Sequence, residues 1–233
     1  MNPKNKKTYH LRSPEEQFKT IQALYPERDP ETLAAVVLKR RLDAKSEFDR
    51  KIPEDYVDAD FVNFGYFGDQ LELLTRSLFD IGGNRALLFE GVVGSGKTYS
   101  AYAGMNMVLN NDPERMVMFE HYPDLVQKLR TEFSTGTFSE LGSTWDRINN
   151  DDGDWPGLVI IDDIGAGKLS EFETEKLYSI LDTRLATHDP IIITTNVPQD
   201  QREAVFGVRV ASRLDRFTRV EFPQHDFRKT ENI

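Results

Sequence analysis

An eight-residue run, GVVGSGKT from Gly91 to Thr98, limits this chain more than any other feature of its sequence. It matches G-x-x-x-x-G-K-[ST] at every fixed position. The apolar run RALLFE (Arg85 to Glu90) precedes it and a helical pattern follows. Gly91, Gly94 and Gly96 permit backbone angles that turn N–H groups inward around an anion. The whole run, Gly91, Val92, Val93, Gly94, Ser95, Gly96, Lys97 and Thr98, is therefore the candidate phosphate cradle. The helix that starts near Lys97 adds its positive end. Lys97 is expected to reach the β- and γ-phosphates of a nucleoside triphosphate such as ATP, and Thr98 to offer its hydroxyl to Mg2+.

Three further segments carry chemistry. LVIIDDIG (Leu158 to Gly165) reads as an apolar strand with two acids at its C-terminal end, where ligands bind in open α/β sheets. Asp162 is the expected partner of Mg2+. Asp163 is the candidate for polarising an attacking water, although Asp is one methylene shorter than the Glu common at such positions. PIIITTN (Pro190 to Asn196) reads as a strand ending in a polar cluster, with Asn196 placed either to orient water or simply to close a turn. GVRVASRLDRF (Gly207 to Phe217) is basic in an acidic protein, and Arg209 and Arg213 share a helical face. Two readings stand for these arginines: a guanidinium offered to a neighbouring subunit's γ-phosphate, or surface ion pairing.

Strands alternate with helices along this region. Strands are expected at 85–90, 116–120, 158–161, 191–195 and 219–222, and helices at 97–109, 123–133, 171–186 and 202–216. The pattern implies a parallel five-stranded α/β sheet sandwiched by helices. Residues 14–50 read as two helices; Lys39, Arg40 and Arg41 on the second form either a solvated face or a partner contact. The net charge of −10 argues against indiscriminate DNA binding, but not against a local basic site. The chain has no cysteine, which fits a reducing cytoplasm, and no apolar run long enough to span a membrane.

Taken in order, GVVGSGKT, LVIIDDIG, ITTN and GVRVASRLDRF resemble the AAA+ ATPases of the DnaC/DnaI helicase-loader family and their relative IstB. The resemblance covers roughly residues 52–222 and also rests on IPEDYVDADFVNF, YPDLVQKLRTEFSTG and DDIGAGKLSEFETEKLYSILDTR. It implies a P-loop (AAA+/ASCE) ATPase domain over 52–233 with no C-terminal lid domain, and a helical partner-binding region over 1–51. It also implies slow, partner-stimulated hydrolysis of ATP with Mg2+. By resemblance, Asp162 and Asp163 form Walker B, Asn196 is sensor 1, Arg213 is the arginine finger and Arg209 its companion. Lys128, Arg130 and Phe133 fall in a segment that the family uses at single-stranded DNA, although Phe133 also suits the core of an amphipathic helix. Tyr66 and Phe67 are expected walls for adenine. The implied partners are a replicative DnaB-type helicase, single-stranded DNA and further copies of the chain. Two alternatives accompany this: an IstB-like transposase helper, and an ATP-gated adaptor with little turnover.

Overall fold

Five strands form, and burial on both faces explains why the three central ones are nearly continuous in hydrophobicity. The computed structural model describes residues 53, 56, 58–64, 66–78, 85–111, 117–136, 143–149, 157–165 and 167–227. The helices expected within 14–50 lie outside these residues, as does the side chain of Tyr66. The strands are β1 (Ala86–Glu90), β2 (Val117–His121), β3 (Leu158–Ile164), β4 (Ile191–Thr195) and β5 (Thr218–Glu221). They pair in the order β2-β3-β4-β1-β5, and every pairing is parallel. The chain thus places β4 between β1, which leads into the glycine loop, and β3, which carries the acids.

Alternate side chains serve two cores. Ala86, Leu88, Val159, Ile161, Ile191 and Ile193 face one side of the sheet. That side is covered by α3 (Tyr122–Thr135), α5 (Glu171–Thr187) and α7 (Val208–Leu214). Leu87, Phe89, Leu158, Ile160 and Ile192 face the other side, under α1 (Tyr66–Ser77) and α2 (Lys97–Asn111). The short helices α4 (Thr144–Asn149) and α6 (Arg202–Phe206) complete the described set.

Local chemistry sets the helix ends. Ser170 and Glu173 form a reciprocal capping box at the start of α5, and His188 closes it in the left-handed conformation at φ 58°. Gly136, at φ 65°, closes α3. The helices α1 and α4 were not expected from the sequence pattern, and two expected elements change substantially. The helix expected over 202–216 is two helices, α6 and α7, because Gly207 adopts φ 80° and ψ 155° between them. The strand expected to stop at Ile161 continues to Ile164 past an irregularity in its pairing with β4.

Arg184 fastens the far end of this sheet. Its side chain is 1% exposed. It donates to the carbonyls of Ile148 at the end of α4, Gly157 ahead of β3 and Pro190 ahead of β4. Burial pushes its pKa down to about 10, so it remains charged at neutral pH. Arg184→Ala would leave three carbonyls without this donor and is expected to cost about 3 kcal/mol of stability, read from the urea midpoint. Arg184→Lys, which keeps a cationic donor, is expected to lose less.

Candidate functional site

The glycine loop follows β1 and opens into α2. Ser100 N–H donates to Gly96 O at 2.9 Å as the helix begins. Gly96 sits at φ 94°, and a Cβ there would lie 2.9 Å from the Phe64 ring, so both conformation and space exclude a side chain. Lys97 is nearly buried, and its ammonium donates to the loop's own carbonyls at Gly91 and Val92, 2.8 Å each. Val92 and Val93 point their side chains outward, so any contribution they make to an anion comes through the backbone. Ser95 Oγ is buried without a hydrogen-bond partner. A loop holding an orphaned hydroxyl, with a lysine ammonium turned in toward its backbone, has donors to offer an incoming phosphate.

The acids meet this loop through β4. Asp162 is 3% exposed. Both its oxygens accept from Thr98 Oγ1 at 3.1 Å, a contact made across 64 residues of sequence. Thr194 Oγ1 donates to Asp162 Oδ1 at 2.6 Å and accepts from Asp163 N–H at 2.8 Å. That bond holds Asp163 in the left-handed region at φ 61°, a conformation Asp tolerates better than most residues. His121, at the end of β2, places Nδ1 3.6 Å from Asp162 Oδ2. The interaction with Asp162 raises the imidazole pKa above its ordinary value, against the opposing effect of burial. Thr98 and Asp162 together offer the hard oxygen ligands that suit Mg2+, which takes one or two protein ligands plus phosphate and water. Asn196 lies one residue beyond the Glu90–Thr195 register pair, level with the start of the loop.

Sequence reasoning did not find Thr194 or His121. It also passed over Glu90, the residue before the loop, whose buried carboxylate accepts from Arg202 and Arg219. A threonine at a strand end and a histidine among polar residues carry no local signal; only the parallel register brings them together.

Arg209 and Arg213 lie elsewhere. Both sit on the Tyr178 ring of α5, with their guanidinium carbons 3.8 and 4.6 Å from its centroid. Arg213 also donates to Asp182 Oδ1 and Tyr178 OH, each at 2.9 Å. These partners belong to the same chain, and none is a loop residue.

The three residues expected at nucleic acid have different surroundings. Lys128 donates to the buried Glu120 carboxylate at 2.7 Å. Arg130 reaches Ser170 at 3.2 Å and Glu173 at 3.5 Å. Phe133 is 52% exposed and meets Trp145 and Phe172 edge-on. Lys176 Nζ stands 4.2 Å from its ring centroid. On the expected adenine side, Phe67 packs edge-on against Phe222 with centroids 5.1 Å apart.

A glycine loop after β1, paired acids on β3 and the sheet order β2-β3-β4-β1-β5 define an ATP-binding protein of the AAA+ class. The model of the IstB-like ATP binding proteins matches residues 57–220, and the chain belongs to that family. The structure is similar to that of the DnaC helicase loader, with TM-score 0.60 at 20% identity, over 73% of this chain and 100% of that one. It is similar to DnaI, with TM-score 0.57 at 19% identity, over 76% and 94% of the two chains. It is also similar to AMPPCP-bound DnaA from Aquifex aeolicus, with TM-score 0.58 at 20% identity, over 74% of this chain and 51% of that one. At these identities the likeness is one of fold. No curated protein matches the chain.

Thr194→Val keeps the side-chain shape but removes both hydroxyl bonds. It is expected to cost about 1–3 kcal/mol in urea unfolding, because Asp163 N–H loses its acceptor and Asp162 a donor. Thr194→Ser is expected to restore most of this.

Proposed function

We propose that this protein is an ATP-dependent loader that helps place a replicative hexameric helicase on single-stranded DNA, acting as an ATP-switched assembly of several copies. The observation that carries the nucleotide part is the Thr98–Asp162 contact, which joins the phosphate loop to the acidic strand end. The fold shared with DnaC and DnaI along nearly their whole chains supports the loading part.

In this reading the backbone of Gly91 to Thr98 wraps the phosphates, and Lys97 exchanges its two carbonyl partners for β- and γ-phosphate oxygens. Thr98 and Asp162 would hold Mg2+, which supplies neutralisation of charge on the β- and γ-phosphates. Asp163, held by Thr194, polarises the attacking water, and Asn196 orients it. Arg213, with Arg209 beside it, reaches the γ-phosphate bound by the next copy, so that hydrolysis loosens the assembly. Phe133, with Trp145, Phe172 and Lys176 around it, supplies stacking surface for unpaired bases. Residues 1–51 dock the helicase, and the protein works in the cytoplasm. No helix among the described residues is long and apolar enough to cross a membrane.

Family membership supports a second reading, an IstB-like helper acting with a transposase on duplex DNA. ATPase measurements with single strands, duplex and helicase separate the two: stimulation by duplex alone favours the helper. Absence of stimulation by single strands and by helicase would count against loading. The shared site is tested by mixing. Lys97→Ala and Arg213→Ala are each expected to lower turnover at saturating ATP by about 10³-fold or more. An equimolar mixture of the two is expected to recover activity, because one variant supplies the nucleotide site and the other the guanidinium. A mixture as inactive as its components would rule out Arg213 acting between copies.

A further inference from the structure

Beyond β5 the chain turns back over the glycine loop. Phe222 N–H donates to Glu90 O at 2.7 Å, and Phe222 is buried where a Cβ on Gly91 would lie 2.9 Å from its own Cβ. Five residues later, Phe227 N–H donates to Gly94 O at 2.9 Å. This strap is therefore tied to the residue just before the loop and to the loop's middle. The Phe227 ring is half exposed; it stands edge-on to Phe64, with centroids 6.4 Å apart, and to His225 at 4.9 Å. Phe64 in turn lies against Gly96 and meets Tyr99 and Phe67 edge-on.

The position of this ring group follows from sheet order. Asp162 and Thr98 mark the side of the loop toward β3, and that is the metal and γ-phosphate side of the site. A triphosphate anchored there runs along the loop, so its nucleoside leaves on the opposite side. That side is flanked by β5, and it is where Phe222, Phe227 and Phe64 gather. A half-exposed aromatic ring fastened by its own backbone to a phosphate loop has a face available for a nucleobase.

We infer that Phe227, held by the strap 223–227 and backed by Phe64, forms the base-side wall of the nucleotide site. The inference rests on the glycine loop holding ATP. It assigns recognition of the base to a residue after the last strand, a role for which Tyr66 and Phe67 were the expectation from sequence.

The test is calorimetric titration of the full chain with Mg-ATP and, separately, with Mg-bound inorganic triphosphate, which has no base. Phe227→Ala is expected to weaken ATP about tenfold and to leave triphosphate unchanged, since one stacking face is lost. Phe227→Trp is expected to retain ATP affinity. Unchanged ATP affinity in Phe227→Ala would overturn the inference. So would an equal loss for both ligands, which would mean that the ring acts through loop shape. If the unaltered chain bound neither ligand, the underlying reading of the loop would fail, and this one with it. Circular dichroism melts confirm that the variants fold.

Discussion

Asp162 is the point through which the site is assembled. Its carboxylate is buried and accepts hydroxyl bonds from Thr98 at the start of α2 and from Thr194 at the end of β4. A buried charge costs several kcal/mol unless its lone pairs are occupied, and here two hydroxyls and the nearby His121 imidazole serve that need. The three strand ends involved are neighbours in the sheet, or one strand removed. Their C-terminal ends align because every pairing is parallel. Changing that register by one residue would turn Asp162 to the other face and dissolve the site.

A second set of charges steadies the start of the loop. Glu90 is gripped by Arg202 from α6 and Arg219 from β5, and Arg202 is almost wholly buried. The like charge of Arg219 adds to burial in lowering the pKa of Arg202. Removing Glu90 would leave two guanidinium groups facing one another, so the carboxylate matters more for what its loss exposes than for its net attraction. The arrangement fastens two separate elements, α6 and β5, to the residue that precedes Gly91.

Much of the fold was legible because buried parallel strands leave an uninterrupted apolar signal, as in Leu158 to Ile161 and Ile191 to Ile193. The glycine loop was legible because its chemistry needs fixed residues at fixed spacing. Gly207 divided a helix that periodicity alone had joined, and the local cue, a glycine within the run, was present. What could not be read depends on register and distant packing. Thr194 lies 32 residues from Asp162 and Phe227 far from Gly94, and neither position differs in local pattern from an ordinary strand end or tail. Phe133 had the spacing of a core residue, yet it is half exposed beside Trp145. Lys128 had the character of a free cation, yet it neutralises Glu120.

The clasp on Arg213 has a consequence for any process that draws on that side chain. Asp182 and Tyr178 already satisfy part of its hydrogen-bonding capacity within the folded chain. An anionic ligand that draws the guanidinium away from them must replace these bonds, so the gain is then a difference between two similar attractions rather than the whole of one. Exchange of this kind yields shallow, reversible equilibria that respond to modest changes in ligand charge. A side chain stored in that way can engage and disengage repeatedly without trapping either state.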